Sequence, residues 1–309
     1  MSKHRSTQIA YIRRAVPQAD YSQGVIYLNV GTKCLVRLVT SIYSLRRHYN
    51  GPIAIMDGGS SGGLCPKIAN DLGALHIGFS ARQMKRHTSY NAKSSLWRHS
   101  PFDRTMFIDS DTIVAQPIDE FFSGENPLVL TEFSGWKTNG NKIKGRLEQW
   151  RGIEAPWGVG QVIDQAVNNA YYAINTGVLR WDAEIDEFPK FLEDWEGLTN
   201  AGAGKCSFTD ELAMQLLYVR GIPDTLIVSD IWNASPIYTK SAFDDVRIWH
   251  MHGSKHVTRE DGRGHQGQEI WWPVFQEVWE KDICGIQSWA ANSKDKQLLR
   301  SEAWKVLTG

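Results

Sequence analysis

Residues 105–114, Thr105-Met106-Phe107-Ile108-Asp109-Ser110-Asp111-Thr112-Ile113-Val114, decide how the rest of the chain is read. An apolar run ends in two carboxylates that flank one small residue, and a second apolar pair follows. Acids at i and i+2 of an extended chain point to the same side. At the carboxyl end of a parallel strand, where open α/β sheets bind their ligands, such a pair offers hard oxygen donors to magnesium or manganese carrying phosphates. A strand end with two solvated acids is the plainer alternative, and the apolar run in front of the pair weighs against it.

Upstream, short apolar runs alternate with helical patterns, which is how a parallel sheet with crossover helices reads. Val25 to Val30 is the first predicted strand. Leu35, Leu38, Val39, Ile42, Leu45 and Tyr49 recur at helical spacing, and Asn50-Gly51-Pro52 stops that helix before the strand Ile53 to Met56. A helix with Pro66 near its start and a strand from Leu75 to Phe79 complete the run before the 105–108 strand. Downstream, Pro127 to Thr131, Tyr172 to Leu179, Thr225 to Val228 and Val246 to Trp249 read as strands, and Glu211 to Tyr218 as a helix. The segment between Phe133 and Gln165 is long, polar and rich in glycine and tryptophan, and is expected to be a functional loop or lid. From Glu269 onward the chain reads as helices, with Trp272, Phe275 and Trp279 on one stripe.

The 309 residues are 42% hydrophobic and carry 34 basic against 34 acidic side chains, so no global positive field invites nucleic acid. No apolar stretch is long enough to span a membrane, and Met1 to Arg14 lacks the apolar core of a signal peptide. The expectation is a cytoplasmic protein, which the wide spacing of Cys34, Cys65, Cys206 and Cys284 also suits: these read as free thiols. Most of the thirteen tryptophans must be core or subunit contacts, which leaves room for a homo-oligomer. Trp136, Trp150 and Trp157 are the candidates for stacking on a sugar.

Four features in order resemble the GT-A glycosyltransferases, and within them the glycogenin-like family 8. They are Lys93 upstream of Pro101-Phe102-Asp103, the Asp109-Ser110-Asp111 motif, the run Ile174-Asn175-Thr176-Gly177-Val178, and His250-Met251-His252-Gly253-Ser254-Lys255. The resemblance covers about Val25 to Lys255 and implies an α/β fold with a Rossmann-like, mostly parallel central sheet flanked by helices. One GT-A domain would occupy residues 1–265, with the nucleotide sugar bound by 20–115 and the acceptor by 116–265. Residues 266–309 would be a helical extension.

The resemblance implies that Asp109, Asp111 and His250 hold manganese, with magnesium the alternative metal and His252 the competing ligand. It assigns Asn29, Val30, Gly31 and Thr32 to the base and ribose of a UDP-sugar, and Ser110 to the donor site. Lys93, Gly253 and Lys255 are assigned to the donor phosphates or sugar. Here the lysine follows the glycine by two residues where the family has three, and no Pro-Trp succeeds it. Asn175 would line the sugar and acceptor region, and Gly177 would permit a close approach. Asp210 matches an acid beside the reacting sugar, and Glu211 stands where glutamine is more usual. Asp210 is also a candidate helix cap, since Ser207-x-x-Asp210 is a capping-box variant. The implied activity is metal-dependent transfer of a hexose to a carbohydrate or other hydroxyl acceptor, with retention of configuration. A sugar-1-phosphate nucleotidyltransferase is the rival on the same fold, weakened because Gly31 stands without a glycine-rich run. A carbohydrate- or nucleotide-sugar-binding protein without turnover is the rival of another class.

Overall fold

A computed structural model describes residues 10, 13, 20–32, 34–59, 61–78, 89–133, 135, 144–153, 159–168, 173–183, 188–221, 224–252 and 267–290. Seven strands form one sheet in the order β3-β2-β1-β4-β7-β6-β8. They are β1 (Gln23–Asn29), β2 (Ile53–Asp57), β3 (Leu75–Gly78), β4 (Arg104–Ile108), β6 (Leu128–Glu132), β7 (Ile174–Asp182) and β8 (Thr225–Val228). The first four strands pair in parallel, β7 runs antiparallel to both β4 and β6, and β6 pairs in parallel with β8. The expected mostly parallel α/β sheet is therefore present, with strand limits within a few residues of those predicted.

Alternation along the central strands divides the core. Val25 and Tyr27 of β1 and Met106 and Ile108 of β4 face one apolar cluster, and Ile26, Leu28 and Phe107 face the other. Both faces are covered, which is why these strands read as continuous apolar runs. The first face is covered by helices α1 (Leu35–Arg46), α2 (Leu64–Asp71) and α7 (Gly267–Glu280). The second is covered by α3 (Ser89–Ser95), α4 (Val159–Asn168), α5 (Phe188–Gly202) and α6 (Thr209–Arg220). A last short helix, α8 (Ile286–Ala290), follows α7. In α7, Trp271, Trp272 and Phe275 are buried, so the C-terminal aromatic stripe is packing, as expected.

A second sheet is small. Strand β5 (Thr112–Val114) pairs antiparallel with β9 (Ile248–His250), matching Thr112 with His250, Ile113 with Trp249 and Val114 with Ile248. Two serines of α1 fix β5: Ser41 Oγ lies 2.7 Å from Thr112 Oγ1, and Ser44 Oγ accepts from the Val114 amide at 2.9 Å. Hydroxyls on a helix face that is otherwise apolar therefore hold the strand that follows the acidic pair.

The structure corrects the reading of 133–165 as a loop or lid wherever that segment is described. Leu147, Trp150 and Ile153 are buried, α4 begins at Val159, and Ile163 packs inside the second cluster. Trp150 is a core residue: a Cβ on Gly202 would lie 2.5 Å from its ring, so helix α5 ends against the indole face. It has no exposed face for a sugar, and Trp136 and Trp157 lie outside the described residues. Trp150→Ala should lower the urea-unfolding free energy by about 3–5 kcal/mol, the cost of emptying a buried aromatic site. A variant with unchanged stability and weakened acceptor binding would restore the stacking role.

Candidate active site

The turn Asp109-Ser110-Asp111 joins β4 to β5. Its two acids converge through this turn, and not through the i, i+2 alternation of an extended strand. The Asp109 amide donates to the Gly177 carbonyl at 2.8 Å, and Thr112 Oγ1 donates to the Asp109 carbonyl at 2.9 Å. The Met251 amide donates to the Asp111 carbonyl at 2.8 Å, so β9 closes the turn from the other side.

That closure delivers His250. Its Nε2 lies 3.2 Å from Asp111 Oδ1 and 3.7 Å from Asp109 Oδ2. One ligand atom from each of the three residues falls within 4.8 Å of the others. Neighbouring ligands on an octahedral ion with bonds of about 2.1 Å stand about 3 Å apart, so the three side chains fit one divalent cation. His252 does not join this group. Its backbone turns into the left-handed region (φ 37°), and its ring stacks on that of His250 with centroids 3.8 Å apart.

Asn233 orients the imidazole. Its side-chain nitrogen donates to Thr131 Oγ1 at 2.9 Å and to Asn175 Oδ1 at 2.8 Å. Its oxygen therefore accepts from His250 Nδ1, 2.9 Å away, and Nε2 turns its lone pair toward the carboxylates. Gly177 makes room for the ring. A Cβ at that position would lie 2.3 Å from His250 Cε1, so the close approach expected of this glycine is made by His250.

Lys93 occupies the other flank of the acids. The ammonium group, buried under α3, donates to Asp109 Oδ2 at 2.9 Å and to Asp210 Oδ2 at 3.1 Å. Burial opposes its charge, yet Asp109 and Asp210 more than offset this and hold its pKa above the ordinary lysine range. For Asp109 the balance goes the other way: burial, with Asp111 adding, pushes its pKa up against Lys93 and His250. Arg37 of α1 approaches Asp111 Oδ2 to 3.9 Å.

Asp210 is no helix cap. Helix α6 begins at Thr209 behind Phe208, which makes no side-chain capping bond, and Asp210 turns inward to accept from Thr176 Oγ1 at 2.8 Å. Glu211 beside it accepts from Asn175 Nδ2 at 2.9 Å. Burial and the adjacent Asp210 charge raise the Glu211 carboxyl to about 8, against Lys93 and Arg146. A neutral carboxylic acid carries an O–H donor and a carbonyl acceptor on its end, much as a glutamine amide carries its NH2 donor group and carbonyl acceptor. Glu211 therefore presents hydrogen-bonding groups similar to those of a glutamine near neutral pH.

The acids, Lys93, Ser110, Asn175, Thr176 and His250 line one cavity of about 650 Å³, with Asn233 and Arg37 behind its wall. Its far wall holds Leu28, Val30 and Cys34, from the end of β1 and the start of α1. Asn29 shapes that turn through a 2.9 Å bond from Nδ2 to the Gly31 carbonyl, and Gly31 adopts φ 76°. Thr32 is exposed and does not cap α1, whose N-cap is Cys34. The end of β2 supports the same turn: Asp57 accepts from the Gly59 amide, Ser61 Oγ and His76 Nε2 at 2.9–3.1 Å. Gly253 and Lys255 lie outside the described residues.

No family model matches the chain, and no curated protein matches its sequence. Solved structures match its fold. The bifunctional glycosyltransferase WbbM in its apo form aligns with a TM-score of 0.57 and 14% identity over 86% of this chain and 52% of its own. The glycosyltransferase GlyE of Streptococcus pneumoniae TIGR4 gives 0.56 and 16% over 85% and 64%. The galactosyltransferase LgtC, solved with donor and acceptor sugar analogues, gives 0.54 and 13% over 82% and 95%. This chain spans about half the length of the first and under two thirds of the second. At these identities the likeness establishes the GT-A α/β fold.

Two substitutions test the geometry. Gly177→Ala and Asn233→Ala should each weaken Mn2+ affinity, measured by calorimetry, by about 10–100-fold, the usual loss when an orienting partner is removed. Unaltered affinity in both would show that His250 is no ligand. Glu211 adds a pH signature. Its folded pKa lies above the unfolded value of 4.5, so the stability it contributes is full below that pH and is lost as pH rises toward 8. Glu211→Gln should therefore melt higher than the wild type at pH 8, with the gain shrinking toward pH 5; a pH-independent difference would contradict the raised pKa.

Proposed function

We propose that this protein is a metal-dependent glycosyltransferase that moves a hexose from a UDP-sugar to a hydroxyl acceptor with retention of configuration. The observation that carries the reading is the convergence of Asp109, Asp111 and His250 on the cavity that also receives Asp210. The glycosyltransferase fold of WbbM, GlyE and LgtC supports it. Two carboxylates and one imidazole suit manganese better than magnesium, because the nitrogen ligand favours the softer ion. When bound, the cation supplies Lewis-acid stabilisation of the negative charge that grows on a departing nucleoside diphosphate.

The chain's own residues supply the rest. Asp109 and Asp111 anchor the diphosphate end of the donor, and His250, held by Asn233, completes that anchor. Leu28, Val30 and the Asn29–Gly31 turn receive the base and ribose, and Ser110 and Lys255 are assigned to the donor and its diphosphate. Asp210, fixed by Thr176 and Lys93, is the acid assigned to the positive charge that develops on the sugar ring as the glycosidic bond stretches. Its carboxylate would stabilise that charge while the acceptor hydroxyl attacks from the face the diphosphate leaves and gives its proton to a donor phosphate oxygen. Asn175 and neutral Glu211 position sugar and acceptor hydroxyls. The four cysteines form no disulfide, which suits a protein of the cytoplasm. Among the described residues no helix is long and apolar enough to cross a membrane.

Asp111→Ala should abolish Mn2+-dependent hydrolysis of UDP-hexose and the Mn2+-induced rise in melting temperature while the protein stays folded. Asp210→Asn should retain donor and metal binding and lose turnover by about 100-fold or more, the scale of removing one group aimed at transition-state charge. Full activity in either variant would end the assignment it tests.

A further inference from the structure

Beyond Asp210 and Glu211 the cavity wall becomes aromatic. Four large apolar side chains are exposed among the described residues, and two of them, Tyr90 of α3 and Phe208, line this cavity. Their rings stand 6.2 Å apart at an angle of 51°. Phe208 holds φ 51° and ψ 53°, the left-handed region, which costs a bulky side chain on the order of 1–2 kcal/mol. Its side chain is 37% exposed, so burial in the core does not account for the strain. Such strain, maintained beside a cavity, marks a ring whose placement matters there.

Arg146 covers that ring, with Cζ 4.1 Å from the centroid. The two cations of the cavity lining differ in their engagements. Lys93 is bound by Asp109 and Asp210, whereas Arg146 makes no ion pair with a carboxylate among the described residues. A guanidinium placed over a ring at this distance makes a cation–π contact through its carbon, and its forked N–H donors match two oxygens of a carboxylate or phosphate side by side. Arg146 lines the same cavity as Asp210 and Glu211 of α6, while the candidate cation triad lies on the β4–β5 turn and β9.

We propose that Tyr90, Phe208 and Arg146 form the acceptor subsite and that the acceptor is an acidic sugar. The apolar face of its ring packs on the two aromatic rings, and its carboxylate or phosphate substituent meets the forked N–H donors of Arg146. This assignment rests on the glycosyltransferase reading of the cavity and adds the chemical class of its acceptor.

The test compares matched pairs of glycosides for binding to the wild-type protein with Mn2+ and UDP present, by ligand-observed NMR titration. Phenyl β-glucuronide against phenyl β-glucoside probes a carboxylate, and methyl glucoside 6-phosphate against methyl glucoside probes a phosphate. At least one charged member should bind about tenfold more tightly than its neutral partner, a difference of about 1.4 kcal/mol. Arg146→Ala should erase that preference, Arg146→Lys should keep part of it, and Phe208→Ala should weaken charged and neutral members alike. Equal binding within both pairs, no binding of any member, or a charge preference that survives Arg146→Ala overturns the proposal. The donor reading stands or falls separately, on whether UDP with Mn2+ raises the wild-type melting temperature when no glycoside is present.

Discussion

Everything at this site depends on the three-residue ladder between β5 and β9. It joins a turn at residues 109–111 to a strand that comes more than a hundred positions later, and sets His250 opposite Thr112. Slipping the pairing by one residue would turn the imidazole to the opposite face, because side chains alternate along a strand. The ladder is short, but Ser41 and Ser44 anchor β5 from α1, the Met251 amide closes the turn, and Gly177 leaves the space the ring needs. A candidate cation site built this way belongs to the tertiary fold, and no local segment contains it.

Charge is arranged around the same point. Asp109, Asp111 and Asp210 bring three carboxylates to one cavity, and Lys93 and Arg37 bring two fixed positive charges beside them. Lys93 bridges Asp109 to Asp210, so one buried ammonium braces both the cation anchor and the acid assigned to the sugar. Glu211 adds no further negative charge near neutral pH, since its carboxyl is raised to about 8. The cavity can thereby hold a fourth acid at modest electrostatic cost.

The sheet was legible because buried parallel strands are apolar on both faces and are punctuated by Asn50-Gly51-Pro52 and similar turns. Strands β1 to β4 follow from that pattern alone. Asp109 and Asp111 were legible as an acidic pair at a strand end, although the turn, rather than strand alternation, aims them. Strand β5 is not legible because three residues are too few for a period, and α3 because its seven residues span only two turns; α5 does carry a start and a stop signal in Pro189 and Gly202. Asn233 could not be found in sequence: an amide joins the candidate site only through the histidine it touches. Arg37 did leave a signal, as a charge within the apolar stripe of Leu35, Leu38 and Val39. Trp150 misled because glycine-rich surroundings look like a loop even where the indole fills the core.

The amide contacts at the heart of the site share a direction. His250 donates to Asn233, Asn233 donates to Asn175, and Asn175 donates to Glu211. Read from the imidazole outward, every link hands a hydrogen to the next residue, so the chain is polarised like a row of aligned dipoles. Aligned hydrogen bonds strengthen one another. When Glu211 loses its proton it becomes a stronger terminal acceptor, and the pull passes back through both amides to the imidazole, making Nε2 more electron-rich. The lone pair that His250 turns toward Asp109 and Asp111 and the ionisation of an acid across the cavity are thus two ends of one wire.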